Sequence, residues 1–305
     1  MKKKEVWGGQ WTEEKLDAFE KYVKAYLTIM NSYRGTYGWQ LLYFDGFAGS
    51  GTRNQDEEKE EIAQAADLFG QEITPEDLNV YQGAAERVVK IEGDGTPGFD
   101  HYYFVDKSEE NCKALEEKLS AYVTSGKRHH LHKDANDAVR MLSNSLKKYS
   151  NFKALAFLDP FGMQIEWASI ASLKDQSVDL WILVPTGVII NRLLERNFNQ
   201  EKGLAHAEKL KSFFGMNEKE LRNYFYTETL VPTLFGEEET VTKAENSIRR
   251  IAQLYVERLK DVFPYVTEDP MVLYNNHNVP IFHLVFAAKN KTAMKIAQDI
   301  INNKK

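Results

Sequence analysis

Apolar residues along the first two thirds of the chain gather in five short runs: WQLLYFD (39–45), HYYFVD (101–106), HHLHKD (129–134), KALAFLD (153–159) and VDLWILV (178–184). The runs are rich in β-branched and aromatic residues and mostly lack strict alternation, which predicts strands covered on both faces. Between them the period changes to that of helices. SEENCKALEEKLSAYV (108–123) opens on Ser108 with glutamates in its first turn, an N-cap signature, and ANDAVRMLSNSLKKY (135–149) puts Val139, Leu142 and Leu146 on one face. Strand alternating with helix predicts an α/β fold around a doubly wound, Rossmann-like and mostly parallel sheet.

Near the C-terminus the pattern becomes MVLYNNHNVPIFHLVFAAKN (271–290), two runs joined by a turn-rich link too short for a parallel crossover, so an antiparallel hairpin is expected before a closing helix in KTAMKIAQDII. Two stretches break the alternation. Residues 53–82 are polar and acidic and read as a mobile excursion or lid. Residues 191–268 are mainly helical in period and read as an insertion that supplies a substrate region. The expected organisation is an N-terminal helical segment (1–36), a cofactor-binding core (37–190) containing the acidic insertion, the helical insertion (191–268), and a terminal strand pair and helix (269–305) that complete the core.

Composition narrows the function classes. The chain has 305 residues, 43% apolar and 28% charged, which is ordinary for a globular protein. VDLWILVPTGVII (178–190), its longest apolar stretch, holds an acid and a proline and is too short to span a bilayer. The basic tip MKKKEVW is followed by no apolar segment, so the expected location is cytoplasmic, with no membrane partner. Cys112 is the single cysteine, which excludes an internal disulfide and a cysteine-cluster metal site; it is expected as a buried small residue on a helix. The histidines of HHLH alternate along a strand and point to opposite faces, so core and surface roles are expected there and no metal site. A net charge of −6 argues against polyanion binding through overall charge but leaves room for a local basic face.

The strand ends carry the chemistry. In a doubly wound sheet, ligands bind beyond the C-terminal ends of the strands, where the strand order reverses, so Asp45, Asp106, Asp134 and Asp159 are expected along one rim. The first strand runs into GFAGSG, whose Gly46, Gly49 and Gly51 let backbone approach a ligand closely. Their spacing is not that of a dinucleotide loop, and no lysine follows to reach phosphates, so a P-loop is rejected and a nicotinamide-dependent oxidoreductase is remote. Asp106 can accept from ribose hydroxyls or act as a helix N-terminal charge beside Ser108. Asp134 can accept from an adenine amine, with Ala135 leaving room for the ring, or cap the next helix; the roles are compatible. In LDPFG, Asp159 and the Pro160 carbonyl can hold an NH₂ while Phe161 stacks on a planar ring, or the stretch is a proline-glycine turn over a core phenylalanine.

DGFAGSGT resembles the D-P-F-x-G-S-G-T cofactor motif of amino-methyltransferases that act on nucleic acid, within the class I S-adenosylmethionine-dependent methyltransferase fold, and DPFG at 159–162 resembles their D-P-P-Y motif. Over residues 10 to 192 the chain is more similar to the three-Cys-motif partner family of bacteria and archaea, through WTEEKLDAFEKYVKAY, YFDGFAGSG, GAAERVVKI, KDAND and FLDPFG. The resemblance implies S-adenosylmethionine contacts at Asp45, Gly46, Phe47, Gly49, Gly51, Asp106 and Asp134 beside Ala135, with Asp159, Pro160 and Phe161 as the target site. DPFG departs from the motif, lacking the second proline and carrying its aromatic one position early.

Two functions follow as expectations. One is N-methylation of an exocyclic amine on a nucleic-acid base, with Arg192, Arg196, Arg249 and Arg250 either contacting phosphate or simply solvated and paired. The other is a non-catalytic methyltransferase-fold scaffold, a protein partner of the three-Cys-motif type in nucleic-acid processing or defence.

Overall fold

The computed structural model describes residues 10–51, 83–93, 95–160, 162–187, 201–233, 236–243, 247–275 and 277–303. The excursion expected over 53–82 therefore lies wholly outside the described residues, as do Phe161, Arg192 and Arg196.

The first element is helix α1 (Gln10–Tyr37), followed by β1 (Gln40–Asp45), α2 (Ala84–Gly93), β2 (His101–Asp106), α3 (Glu109–Leu119), β3 (Lys127–His132), α4 (Ala135–Lys148), β4 (Phe152–Leu158), α5 (Trp167–Ala171) and β5 (Val178–Pro185). The order across the sheet is β3-β2-β1-β4-β5, all parallel, so the alternating half of the chain folds as its periodicity predicts. The central strands are buried nearly throughout, which explains their unbroken apolar runs. β3 differs: as the edge strand it is half-exposed along its length, and its polar sequence suits that place.

The terminal hairpin forms from β9 (Met271–Tyr274) and β10 (Pro280–Ala288), followed by α9 (Lys291–Asn302). β10 lies antiparallel to β5, with β8 (Tyr265–Val266) on its other side. The 191–268 region is less helical than its period predicts. It holds α6 (Glu201–Phe214), α7 (Glu218–Phe225) and α8 (Ser247–Lys260), but also an antiparallel pair, β6 (Tyr226–Thr233) and β7 (Gly236–Lys243). GEEETVTK carries almost no apolar residues, so it had no hydrophobic period to announce a strand, and its partner strand supplies the pairing instead.

Helix α1 is part of the core. Leu16, Phe19, Tyr22, Val23, Tyr26 and Leu27 recur at helical spacing and are buried. Phe19 stacks on Phe157 of β4 at 4.2 Å, Trp11 on Phe282 of β10 at 5.1 Å, and the Tyr22 hydroxyl donates to Asp179 of β5 at 2.7 Å. The helix thus runs against the strand direction, and its first turns reach the C-terminal ends of the strands. From α2, Arg87 pairs with Glu13, Asp17 and Glu20 of α1, which gives the arginine of GAAERVVKI a structural role. Cys112 is buried, as expected.

Candidate functional site

The chain passes from β1 outward to β2 and β3 and returns to β4, so the order reverses between β1 and β4. At that switch point a cavity of about 590 Å³ opens beyond the strand ends, lined by the glycine stretch 46–51 and by Asp45, Asp106, Asp134, Asp159 and Pro160. The four aspartates expected on one rim are brought together there. Ala135 and Phe47 also line the cavity; Phe161 lies outside the described residues.

The glycine stretch is shaped by two requirements. Gly46 donates its N–H to the Phe157 carbonyl at 3.0 Å, and a Cβ there would stand 2.5 Å from Leu158 Cδ2, so β1 and β4 could not close above it. Gly49 and Gly51 have φ of +62° and +72°, the left-handed region that other residues adopt at a cost. Lys118 donates to the Gly51 carbonyl and is 2.8 Å from Glu86 of α2, tying the end of the loop to the start of that helix. Burial opposes ionisation of Glu86, but hydrogen bonds from Lys118, Tyr122 and Lys90 outweigh it and hold the carboxyl down at about 2.

The acids differ in environment. Asp45 is 1% exposed; it accepts from the Tyr43 hydroxyl and the Phe47 N–H, both at 3.2 Å. Burial pushes its carboxyl up to about 7; the Phe47 and Tyr43 bonds pull it down and the Asp159 and Asp106 charges add to the rise. Asp106 is engaged locally: Oδ1 accepts from Ser108 N at 2.7 Å and Asn111 Nδ2 at 3.1 Å, and Oδ2 from Gly49 N at 3.1 Å. A carboxylate accepts about four hydrogen bonds, so Asp106 keeps room for one further donor, on Oδ2. Beside it Asn111 Oδ1 is buried and has no partner among the described residues. Asp134, which lines the cavity, caps α4 through Oδ1 to Asn136 N at 2.8 Å.

Three residues escaped the sequence reading. Lys15 of α1, 5% exposed, donates to both oxygens of Asp159 at 2.7 and 2.6 Å and stands 4.8 Å over the Trp11 ring. Asn136 donates to the Gln164 carbonyl at 2.9 Å and accepts from Glu166 N at 2.8 Å, fastening the loop after β4 to the head of α4. Asn111 offers the free acceptor already described. A signal existed for Lys15: Trp11, Lys15, Ala18, Phe19 and Tyr22 share one helical face, and a lysine in an apolar stripe must find an anion.

Of the arginines expected at phosphate, Arg250 is committed elsewhere, donating to the Tyr224 carbonyl and stacking on that ring at 4.9 Å; Arg249 is exposed on α8. His129 lies 3.2 Å from His101 on the neighbouring strand, and no group of metal-binding side chains occurs among the described residues. No helix among them is long and apolar enough to cross a membrane.

The fold and site define an α/β protein of Rossmann-like architecture whose ligand cavity sits at the switch point of a mostly parallel sheet. No protein-family model and no curated protein matches the chain.

Proposed function

We propose that this chain is an S-adenosylmethionine-dependent methyltransferase of the three-Cys-motif partner family, acting on an exocyclic amine of a nucleic-acid base. The observation that carries the reading is the convergence of the glycine stretch, Asp45, Asp106, Asp134 and Asp159 on one switch-point cavity. The antiparallel β10 beside β5 is in keeping with the class I methyltransferase fold.

The residues present fit the cofactor. Asp106 Oδ2 and the orphaned Asn111 Oδ1 are two acceptors for the two ribose hydroxyls, a division of labour that Asp106 alone cannot supply with three donors already on it. Asp134 Oδ2 serves the adenine amine while Oδ1 keeps its cap. The buried Asp45 favours a cationic neighbour, which relieves the cost of its charge. When bound, S-adenosylmethionine supplies an electrophilic methyl group carried on a sulfonium. Asp159 and the Pro160 carbonyl then accept from the target amine and orient it, with Lys15 holding the Asp159 carboxylate in place.

The same ion pair favours a second reading. Both Asp159 oxygens accept from Lys15, and where that ion pair holds the carboxylate away from a target amine the chain suits a scaffold that keeps the cofactor cavity without transferring methyl groups. Calorimetry with S-adenosylmethionine and with NAD, followed by labelled-methyl transfer to DNA, RNA and protein, separates the readings. We expect S-adenosylmethionine alone to bind, Asp159→Ala to abolish transfer while retaining binding, and Asn111→Leu to weaken cofactor binding about tenfold through loss of one buried hydrogen bond. Absence of cofactor binding overturns both readings; binding without transfer to any acceptor leaves the scaffold.

A further inference from the structure

The opposite end of the sheet carries a feature that the strand-end cavity does not use. Among the described residues, three of the seven exposed large hydrophobic side chains lie along the end of α1 there: Ile29 (38%), Tyr33 (50%) and Tyr37 (60%). Tyr37 stacks on Trp39 at 4.9 Å, and Tyr33 stands 6.3 Å from Tyr37 and 6.4 Å from Trp39. The result is a ledge of three rings on the α1 face of the sheet, at the N-terminal end of β1; Tyr149 and Phe152, stacked on each other at the same end, belong to the other face, because Phe152 pairs with Gln40 and side chains alternate along the strand. A patch of this kind on a protein surface marks an interaction site.

Its charge says what kind. Lys153 stands 5.4 Å over Trp39, so a cation already borders the rings. The segments that supply the ledge and its lysines, residues 29–39, 150–154 and 287–298, contain no acid in a chain with 45 acids and a net charge of −6. Of the acids that other segments bring close, Asp100 is paired with Arg34 at 2.7 Å and Asp179 lies inside a pocket, where its Oδ2 accepts from Tyr22. Aromatic faces interleaved with lysines suit a strand of unpaired bases joined by phosphates.

The pocket adds a second, independent observation. A cavity of about 290 Å³ opens beside the ledge, bounded by Trp39, Lys153 and Lys289 at its rim and by Tyr26 and Asp179 within. The Tyr26 hydroxyl is buried with no partner among the described residues, and Asp179 has committed one oxygen, Oδ2, to Tyr22. A hydroxyl donor and a carboxylate acceptor beside an aromatic wall match the edge of a nucleobase, whose ring atoms accept and whose amino group donates.

We infer that this basal face binds single-stranded nucleic acid, with bases stacked along Tyr33, Tyr37 and Trp39, phosphates against Lys153 and Lys289, and one base seated in the pocket between Tyr26 and Asp179. The face lies roughly 20 Å from the strand-end cavity, the length of six residues of strand, so the inference does not rest on the methyl-transfer reading and fails or stands separately from it.

The test is fluorescence anisotropy of labelled 20-nucleotide single strands, DNA and RNA, with the full chain at low and physiological salt. Binding is expected to weaken with salt, and Tyr33→Ala with Tyr37→Ala, both on exposed positions, should weaken it at least about thirtyfold, the low end for loss of two stacked bases. Lys289→Glu should lower the affinity and flatten the salt dependence. Tyr26→Phe, which removes only the unpartnered hydroxyl, should lower affinity for the strand without changing thermal stability. The inference is overturned if the wild type binds no single strand at low salt, if duplex of the same sequence binds as tightly, if the tyrosine pair leaves affinity unchanged, or if sedimentation shows that the ledge is covered by a second copy and the same pair dissolves that dimer.

Discussion

Replacing Asp45 by asparagine should stabilise the protein, and more so as the pH rises. The native carboxyl is buried and its pKa stands at about 7 against an ordinary 3.8, so the folded chain holds a proton that the unfolded chain has already released. For such a group stability is fully present below the unfolded pKa and is lost as pH climbs through the folded one. The full loss is about 3.2 pH units at about 1.4 kcal/mol each, or about 4.4 kcal/mol. Of this, about 1.7 kcal/mol is already gone at pH 5, leaving about 2.7 kcal/mol to be lost between pH 5 and pH 8.

Asparagine is the right perturbation because it is nearly isosteric and cannot ionise. Its carbonyl oxygen can keep the Phe47 N–H bond, and its amide can donate to the Tyr43 oxygen in place of accepting from it. With an unfolding entropy of about 2.1 cal/mol/K per residue over 305 residues, about 2.7 kcal/mol corresponds to about 4 °C in Tm. Scanning calorimetry of wild type and Asp45→Asn at pH 5 and pH 8 should therefore show the gap between the two melting temperatures widening by about 4 °C in favour of the variant. An unchanged gap would refute the reasoning, since it would mean that Asp45 does not titrate in this range in the folded protein.

The same group should couple cofactor binding to pH: a cation beside Asp45 favours the carboxylate, so affinity for S-adenosylmethionine should rise between pH 6 and 7 and level off above, with proton release seen in calorimetry at pH 6 as a dependence on buffer ionisation heat; no such dependence would place the cationic groups away from Asp45. A double-mutant cycle with Lys15→Met and Asp159→Asn should give a coupling of about 1–3 kcal/mol in urea unfolding, as for partners of one largely buried ion pair, and additive effects would deny that the pair contributes in solution. Gly51→Ala should cost more stability than Gly49→Ala, because both need positive φ but only at 51 would the new Cβ meet Leu115, at 2.7 Å; equal costs would show that the loop yields at Leu115 without penalty.

What could be read from the sequence and what could not divides along a physical line. The strand-end aspartates were legible because a parallel sheet places all C-terminal strand ends on one side, so position along the chain, modulo the alternation, already gives position on the rim. The terminal hairpin was legible because a six-residue link allows only one relative direction. Lys15 and Asp159 were not paired in advance, since 144 positions separate them and only the packing of α1 against β4 and β10 brings them together. Asn111 was invisible for another reason: it is a surface-type residue on a helix whose first turn looks like any capped start, and its orphaned oxygen exists only because Asp106 takes its amide.

The basal ledge stands between these cases. Its rings and lysines are scattered over residues 29–39, 153 and 289, and none of these is unusual alone. Acid depletion in three separate stretches, residues 21–44, 138–158 and 270–298, was nonetheless present in the sequence. In a chain with an acidic excess, such stretches are expected to converge on one face if that face meets an anion, because like charges gathered without a counter-ion cost free energy in the folded state. Much of that depletion belongs to buried strand, since β1, β4 and β10 run through the three stretches. What brings positive charge to the ledge is Lys153 over Trp39 and Lys289 beside the pocket, so the inferred basic face lies away from the α8 arginines, where Arg250 is spent on Tyr224.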